Sequence, residues 1–422
     1  MRRSLHLCQT LLLASLLAAC GGEPAPEPAS EAPAAEPQAV EKPDERMEFV
    51  SSLFTGAEQY ENFNRLAKVF PSHRIEAPAE AKPFPEGEAL EIPASFEHGG
   101  AAQDTAKFLE ETDTAALLVV HDGKLRAENY WLTGGRDVNW MSMSVGKSFV
   151  SALIGAAVAE GKIRSIEEPV TAYVTELAGS AYDGVRIKDI LQMSSGAKWN
   201  EDYSDPESDI GRFAAVFGSG ASLNEFTTTL TRAHEPGTVN HYNSADTQVL
   251  GSLLRAATGT SLAEYAQRKL WQPLGMEADG YWITDDSGME MAFGGLQVTA
   301  RDYAKFGELY RLGGMWHGQR VLDEAWVRAS VTPDAPHVMP GRDPSYPLGY
   351  AYQWWIPDGG ESEFSAIGVY NQFVYVHPKH RVVIVKLSAN SSYGTTNDDS
   401  SWRELETFSL FRAIAKAVEP ER

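Results

Sequence analysis

Apolar positions along this chain follow two rhythms. Residues 114–131 give an apolar run, TAALLVVH, then Asp122-Gly123, then the alternating run KLRAENYW, which is the pattern of a β-hairpin. Residues 140–161, WMSMSVGKSFVSALIGAAVAEG, set Phe149, Val150, Leu153, Ile154, Ala157 and Val158 on one broad apolar surface. With Ser142 or Ser144 placed to cap the start and Gly161 to stop the end, this predicts a long buried helix. Helical periodicity broken by loops continues to about residue 290, in IKDILQMSSG, SLNEFTTTLTRA, ADTQVLGSLLRAATG with its terminal Gly259, and SLAEYAQRKLW. TARDYAKFGELYRLGG predicts an amphipathic helix with Tyr303, Phe306 and Tyr310 on one face and a stop at Gly313-Gly314. The strand-like runs GYAYQWWI, FSAIGVYNQFVYVHP and RVVIVKLS follow, then a helix near 400–417. Strands at both ends with helices between them predict an α+β fold in which distant segments assemble one antiparallel sheet.

The first 46 residues break this pattern. MRRSLHLCQTLLLASLLAACGG has two arginines, an apolar run and small residues, the layout of a secretory signal peptide, and it is too short to span a membrane stably. Leu17-Ala18-Ala19-Cys20 resembles the lipobox of bacterial lipoproteins, in which the cysteine is lipidated. Residues 21–46 are rich in Pro, Ala and Glu, a composition that buries little apolar surface and behaves as an extended tether. The expected order is therefore a signal peptide over 1–20, a tether over 21–46 and a globule. In the globule, 47–160 and 291–422 form an α/β subdomain and 161–290 a helical one. Residues 71–98, rich in Pro and Glu, read as an extended wrap over its surface.

Composition narrows the chemistry. With 43% hydrophobic residues among 422, the chain can bury a substantial core. A formal charge of −22 argues against nucleic acid or an anionic membrane surface as a partner, because phosphate binding needs clustered Lys and Arg. Both cysteines, Cys8 and Cys20, lie in the leader, so the globule has no disulfide, thiolate metal site or cysteine nucleophile. His377 and His380 bracket the turn HPKH; as two exposed histidines without a third ligand they read as solvated turn residues, and no metal or other cofactor is expected.

Lys147 stands out. A cation in the first turn of a helix opposes the helix dipole, at a cost of about 0.3–1 kcal/mol, where a capping box would place Glu or Gln. Dipole and apolar surroundings both disfavour the ammonium, so a neutral Lys147 can serve as base to Ser144, three residues earlier on the same face. A buried core helix accounts for the apolar surface equally well but not for the lysine. Ser-x-x-Lys alone is a weak signal, and its setting strengthens it. Gly146 permits close backbone approach, and Tyr242 lies in EPGTVNHYNSADTQVLG just before a helix that Ser244 can cap. A Lys147 ammonium beside that tyrosine would favour the phenolate. In FSAIGVYNQ, Gly368 would let a substrate lie against an edge strand.

This order of motifs resembles the serine β-lactamase and penicillin-binding-protein superfamily, in its class-C-like branch. More closely, WMSMSVGKS, LQMSSGAKWNEDYSDPESD, HYNSADTQVLG, LWQPLGMEADGYW and GGLQVTARDYAKFG resemble the 6-aminohexanoate-dimer hydrolases of nylon-oligomer degradation and related esterases, over residues 50–415. The resemblance implies a β-lactamase-like sandwich, a central antiparallel sheet flanked by helices with a helical insertion. It implies an acyl-enzyme on Ser144, proton transfer by Lys147 and Tyr242, and an oxyanion hole from the backbone N–H groups of Ser144 and Val369. Tyr203 would contact substrate; packing of its ring on Trp199 is the plainer alternative. Relatives that bind β-lactam or D-Ala-D-Ala carboxylates carry Lys or His where this chain has Ala366, and many have Asn where it has Ser244. An esterase or amidase acting on a small molecule is therefore expected, bound to the bacterial envelope, facing the periplasm on the outer membrane, through a lipid on Cys20. The alternatives are a D,D-peptidase or β-lactamase, and a catalytically silent binding lipoprotein. Trp354-Trp355 are candidates to line the cleft, with at least one of them expected in the core of a strand.

Overall fold

The computed structural model describes residues 43–418; the expected signal segment with Cys20, and the tether as far as residue 42, lie outside the described residues. Seven strands pair antiparallel in the order Gly349–Tyr350, Trp355–Ile356, Phe364–Gly368, Gln372–His377, Val382–Ser388, Thr114–His121, Lys124–Tyr130. The hairpin from the middle of the chain thus joins strands from its end, through Val385↔Leu118 and its neighbours.

Both faces of this sheet are covered, which is why its central strands read as almost unbroken apolar runs rather than as alternation. Leu117, Val119, Tyr375 and Ile384 pack with Phe408, Phe411 and Ile414 of the helix Glu404–Ala417. Leu118, Val120, Val374 and Val383 belong instead to the core shared with the helices Val145–Ala159 and Ala300–Arg311. A register slip of one residue would exchange these two sets. Phe149 stacks on Phe306 with centroids 3.7 Å apart and is fully buried, so its truncation to alanine would cost about 3–5 kcal/mol. Gly155 allows the same helix to meet Trp326, whose ring atoms lie 2.4 Å from where a Cβ would stand.

The region between residues 161 and 290 carries the helices Asp209–Gly218, Leu223–Thr228, Ser244–Thr258 and Leu262–Ala266, and also a strand, Gly280–Ile283. That strand joins a four-stranded sheet in the order Ser72–Ile75, Gly280–Ile283, Leu296–Val298, Trp140–Met141. Part of the 71–98 stretch is therefore paired rather than wrapped. The helix Ser244–Thr258 ends at Gly259 in the left-handed region, φ 71°. Its N-cap is Asn243, not Ser244: Asn243 is extended and its side chain accepts from the backbone N–H of Ala245 at 2.8 Å, whereas Ser244 is already helical.

Folded structure starts earlier than expected. The helix Pro43–Ser52 begins inside the presumed tether, and Arg46, buried, pairs with Asp286 at 2.7 Å. His377 also departs from expectation. It is buried at the end of its strand, 3.6 Å from Glu361, because the strand pairing draws it inward; Glu361 is a third potential ligand that the turn sequence does not reveal. Lys379 meets the same Glu361 carboxylate at 3.2 Å.

Candidate active site

Ser144 stands where a strand gives way to a helix. The short strand Trp140–Met141 is held by Leu296–Val298, and the backbone N–H of Ser142 donates to Leu296 at 2.7 Å. Met143 then takes φ 45°, a left-handed conformation unusual for a methionine, and Ser144 starts the helix with φ −67°. Such a local outlier persists only where its surroundings hold it in place. On the other side Gly368 closes the strand Phe364–Gly368 against this turn: a Cβ there would lie 2.7 Å from Ser142 O and 2.9 Å from Ser144 N. Only glycine lets the next residue, Val369, pass so near the Ser144 backbone.

The surroundings of Lys147 determine its protonation. Its Nζ lies 2.7 Å from Ser144 Oγ, 3.1 Å from Ser244 Oγ and 2.9 Å from the Phe293 carbonyl. A carbonyl can only accept. The Ser244 hydroxyl, whose proton goes to Glu201 at 2.6 Å, can likewise only accept from the lysine. These two contacts take two N–H donors, and the third position on the nitrogen faces Ser144 Oγ, which can accept an N–H from an ammonium or donate to the lone pair of a neutral amine. Burial pulls Lys147 down to about 7, the Glu201 charge acting in the opposite sense. In a polar setting the same side chain would be a cation at neutral pH.

Tyr242 brings the third group. Its phenol is a hydrogen-bonding neighbour of Ser144, and its ring lies 5.2 Å from Lys147 Nζ. Trp355 stacks on that ring at 5.2 Å and Tyr350 meets it edge-on at 6.0 Å, which fixes its plane. The phenolate expected from the sequence is not favoured. Burial and the Glu201 charge hold the Tyr242 proton well above the usual tyrosine range. The neighbouring lysine does not offset them, because burial brings it to about 7 and leaves it only partly charged at neutrality.

Glu201 is the residue that sequence reasoning missed, although it sits two places before Tyr203 in WNEDY. Its carboxylate accepts from the Ser244 hydroxyl, the Ser244 backbone N–H at 3.0 Å, the Tyr203 hydroxyl at 2.7 Å and the Trp199 indole. Tyr203 accordingly packs on Phe54 at 4.5 Å rather than on Trp199. These groups open onto a cavity of about 540 Å³ lined by Ser144, Tyr203, Tyr242, Trp355 and Val369. Glu404 lines it too, pushed up to about 7 by burial while accepting from the hydroxyls of Tyr346 and Tyr393. Trp354 is fully buried against Phe306 and Tyr310, so the pair Trp354-Trp355 divides between core and cleft.

The profile of the Beta-lactamase family matches residues 102–406, which span every element of this cleft except Phe54. The chain belongs to the Beta-lactamase family. Within it, the chain is 35% identical over 296 residues to a 6-aminohexanoate-dimer hydrolase of Paenarthrobacter ureafaciens, covering 68% of this chain and 75% of that protein. A structure from Bacillus anthracis assigned the same name superposes with a TM-score of 0.76 at 23% identity, over 85% of this chain and 94% of its own. A family VIII carboxylesterase superposes at 0.55 with 16% identity, over 74% and 95%. These relatives establish a β-lactamase-like α+β fold and a hydrolase. In this Beta-lactamase-family member Ala366 is buried opposite Val374 on the strand beside the turn that carries Ser144, so that position contributes no cation to the cleft.

Proposed function

We propose that the protein is a serine hydrolase cleaving an amide or ester of a small molecule through an acyl-enzyme on Ser144. The observation that carries this reading is the buried Lys147 Nζ 2.7 Å from Ser144 Oγ, with burial favouring the neutral amine and the Tyr242 phenol beside the same hydroxyl. In acylation the Ser144 Oγ–carbon bond forms as the hydroxyl proton moves to Lys147. Charge developing on the carbonyl oxygen is met by the backbone N–H groups of Ser144 and Val369, a kind of contact worth about 2.7–4 kcal/mol per donor. The bond to the leaving group breaks; that group takes the Tyr242 proton, and Tyr242 is reprotonated from Lys147. Water then attacks the acyl carbon with Lys147 again as base, the Oγ–carbon bond breaks, and Ser144 recovers its proton through Tyr242. The raised phenol suits a proton donor. Ser244 and Glu201 hold the amine in place.

An amide fits the name of the hydrolase relative and an ester that of the carboxylesterase. A β-lactam or D,D-peptide is disfavoured. Ala366 supplies no cation for the carboxylate, and the wide cavity is lined by Glu201, Asp202, Asp343, Asp398, Asp399 and Glu404 against Arg342 alone. Labelling with a fluorophosphonate followed by peptide mapping tests the reading: modification of Ser144 is expected, and unlabelled Ser144 in folded protein would favour a silent binding module. Nitrocefin turnover at a rate comparable to ester turnover would instead favour a β-lactamase. The leader sequence supports envelope attachment through Cys20, for which loss of membrane fractionation in Cys20→Ser is the check.

A further inference from the structure

Ser144 borders two spaces, and they differ in chemistry. Besides the wide acidic cavity, a smaller one of about 60 Å³ runs from Ser144 and Ser244 between the helices Pro43–Ser52 and Asp209–Gly218. Phe49, Leu53, Ile210, Ala214, Phe217 and Phe293 line it, and no Asp, Glu, Lys, Arg or His does among the described residues. The polar side chains that line it are Ser144, Ser244 and Tyr203, and the last two already donate to Glu201.

The two spaces must divide a substrate between them. A carbonyl carbon attacked by Ser144 carries an acyl chain on one flank and the leaving group on the other. The leaving group needs a proton, so it must lie near the phenol of Tyr242, which lines the wide cavity and not the apolar one. The acyl chain is left with the apolar pocket. We infer that this pocket is the acyl subsite and that it takes an uncharged, unbranched aliphatic chain. At about 10–15 Å³ for each water-sized group, its volume holds on the order of four to six carbons. A chain ending in an ammonium would bring a buried cation among phenylalanines with no carboxylate to receive it. The helix Pro43–Ser52, which precedes the residues matched by the family profile, supplies one wall.

This inference rests on the acyl-enzyme reading, and a series of p-nitrophenyl esters separates the two. From acetyl to hexanoyl, kcat/KM should rise by about fourfold per methylene, the factor that burial of one such group represents. It should then fall for decanoyl, and 6-aminohexanoyl should be at least 100-fold poorer than hexanoyl. Ala214→Leu, which fills the pocket from a half-buried position, should move the optimum to shorter chains. A flat dependence on chain length, or equal rates for hexanoyl and 6-aminohexanoyl esters, overturns the subsite while leaving the acyl-enzyme standing. Absence of turnover with every ester of the series, together with unlabelled Ser144, overturns both. As a readout independent of rate, the structure of a hexylphosphonyl adduct on Ser144 should place the alkyl chain between Phe49 and Phe217; a chain lying in the wide cavity would refute the assignment.

Discussion

Lys147 and Lys386 are both buried, and each places Nζ on a serine hydroxyl, Ser144 at 2.7 Å and Ser388 at 2.5 Å. Burial lowers both: Lys147 to about 7, and Lys386 well below its ordinary value with the Arg403 charge adding to the effect. What differs is everything around the pair. Ser388 lies inside the sheet, its hydroxyl donates to Thr114 at 3.4 Å, and Lys386 lies 5.6 Å from the ring of Phe108. Neither residue lines the wide cavity or the apolar one beside Ser144, and among the described residues the partners of that hydroxyl are Lys386 and Thr114. Ser144 has the phenol of Tyr242 beside it, a tight turn that brings Val369 close, and two spaces for a substrate. A discharged lysine next to a serine is thus not itself a catalytic device; in the proposed mechanism, access, a second proton carrier and oriented N–H groups make it one.

The comparison predicts a double dissociation, and it carries the largest expected effect. Ser144→Ala should lower kcat/KM by about 10⁵–10⁶-fold, as loss of a serine nucleophile does elsewhere, with melting temperature nearly unchanged. Ser388→Ala should leave kcat/KM within a few-fold of wild type while costing about 1–3 kcal/mol of stability, because Lys386 loses its buried acceptor. Denaturant titration beside ester kinetics reads both. Full activity in Ser144→Ala, or its unfolding, would erase the distinction.

The proton carrier comes next. Tyr242→Phe keeps the stack on Trp355 and removes only the hydroxyl, so a loss of about 10²–10⁴ in kcat is expected. The loss should shrink for leaving groups that depart without a proton, such as p-nitrophenolate, compared with alkyl esters or amides. An equal loss for all would make the tyrosine a packing residue.

A smaller effect concerns pH. If Lys147 acts as the neutral base, kcat/KM should rise through an acid limb near 7, the value to which burial brings it. Glu201→Gln removes the charge that favours the ammonium, so the limb should move to lower pH. Glu404 and Asp246, both raised to about 7 by burial, titrate in the same range, so Glu404→Gln is the control: its limb should stay in place. A limb that follows Glu404 and ignores Glu201 would assign the titration to the wrong carboxyl for this mechanism.

How much of this was readable beforehand depended on whether the signal was local. Ser144, Lys147 and their helix are one turn of sequence, and the central strands announce themselves as apolar runs. Glu201 was hidden because its role arises from Ser244, forty-three positions away in the chain, and a lone glutamate in an acidic loop has no distinguishing neighbour. The Tyr242 protonation state is not legible in the sequence for a related reason: proximity to a lysine is not proximity to a full charge once that lysine is buried. The depth of His377 and the early start at Pro43 depend on partners, Glu361 and Asp286, that only the folded chain supplies.

The two lysines should behave alike in one respect, the pH dependence of stability. Between about 7 and the ordinary lysine value of 10.5, folded Lys147 is neutral while the unfolded side chain is protonated. The unfolded state then binds more protons, so stability rises with pH across that window, by up to about 1.4 kcal/mol per unit for one group. Lys386 adds a contribution of the same sign over its own window, which extends below 10.5. The buried acids act oppositely at lower pH: Asp246 and Glu404 hold protons up to about 7 that their unfolded forms release near 4, so their contribution falls as pH rises from about 4 to 7. Together these groups place a shallow minimum near neutrality. Lys147→Met and Lys386→Met should each flatten the alkaline rise seen in urea titrations at stepped pH, yet only Lys147→Met should abolish turnover. If Lys147→Met leaves the alkaline slope unchanged, the lysine was charged in the folded protein, and the neutral base that separates the two regions is lost with it.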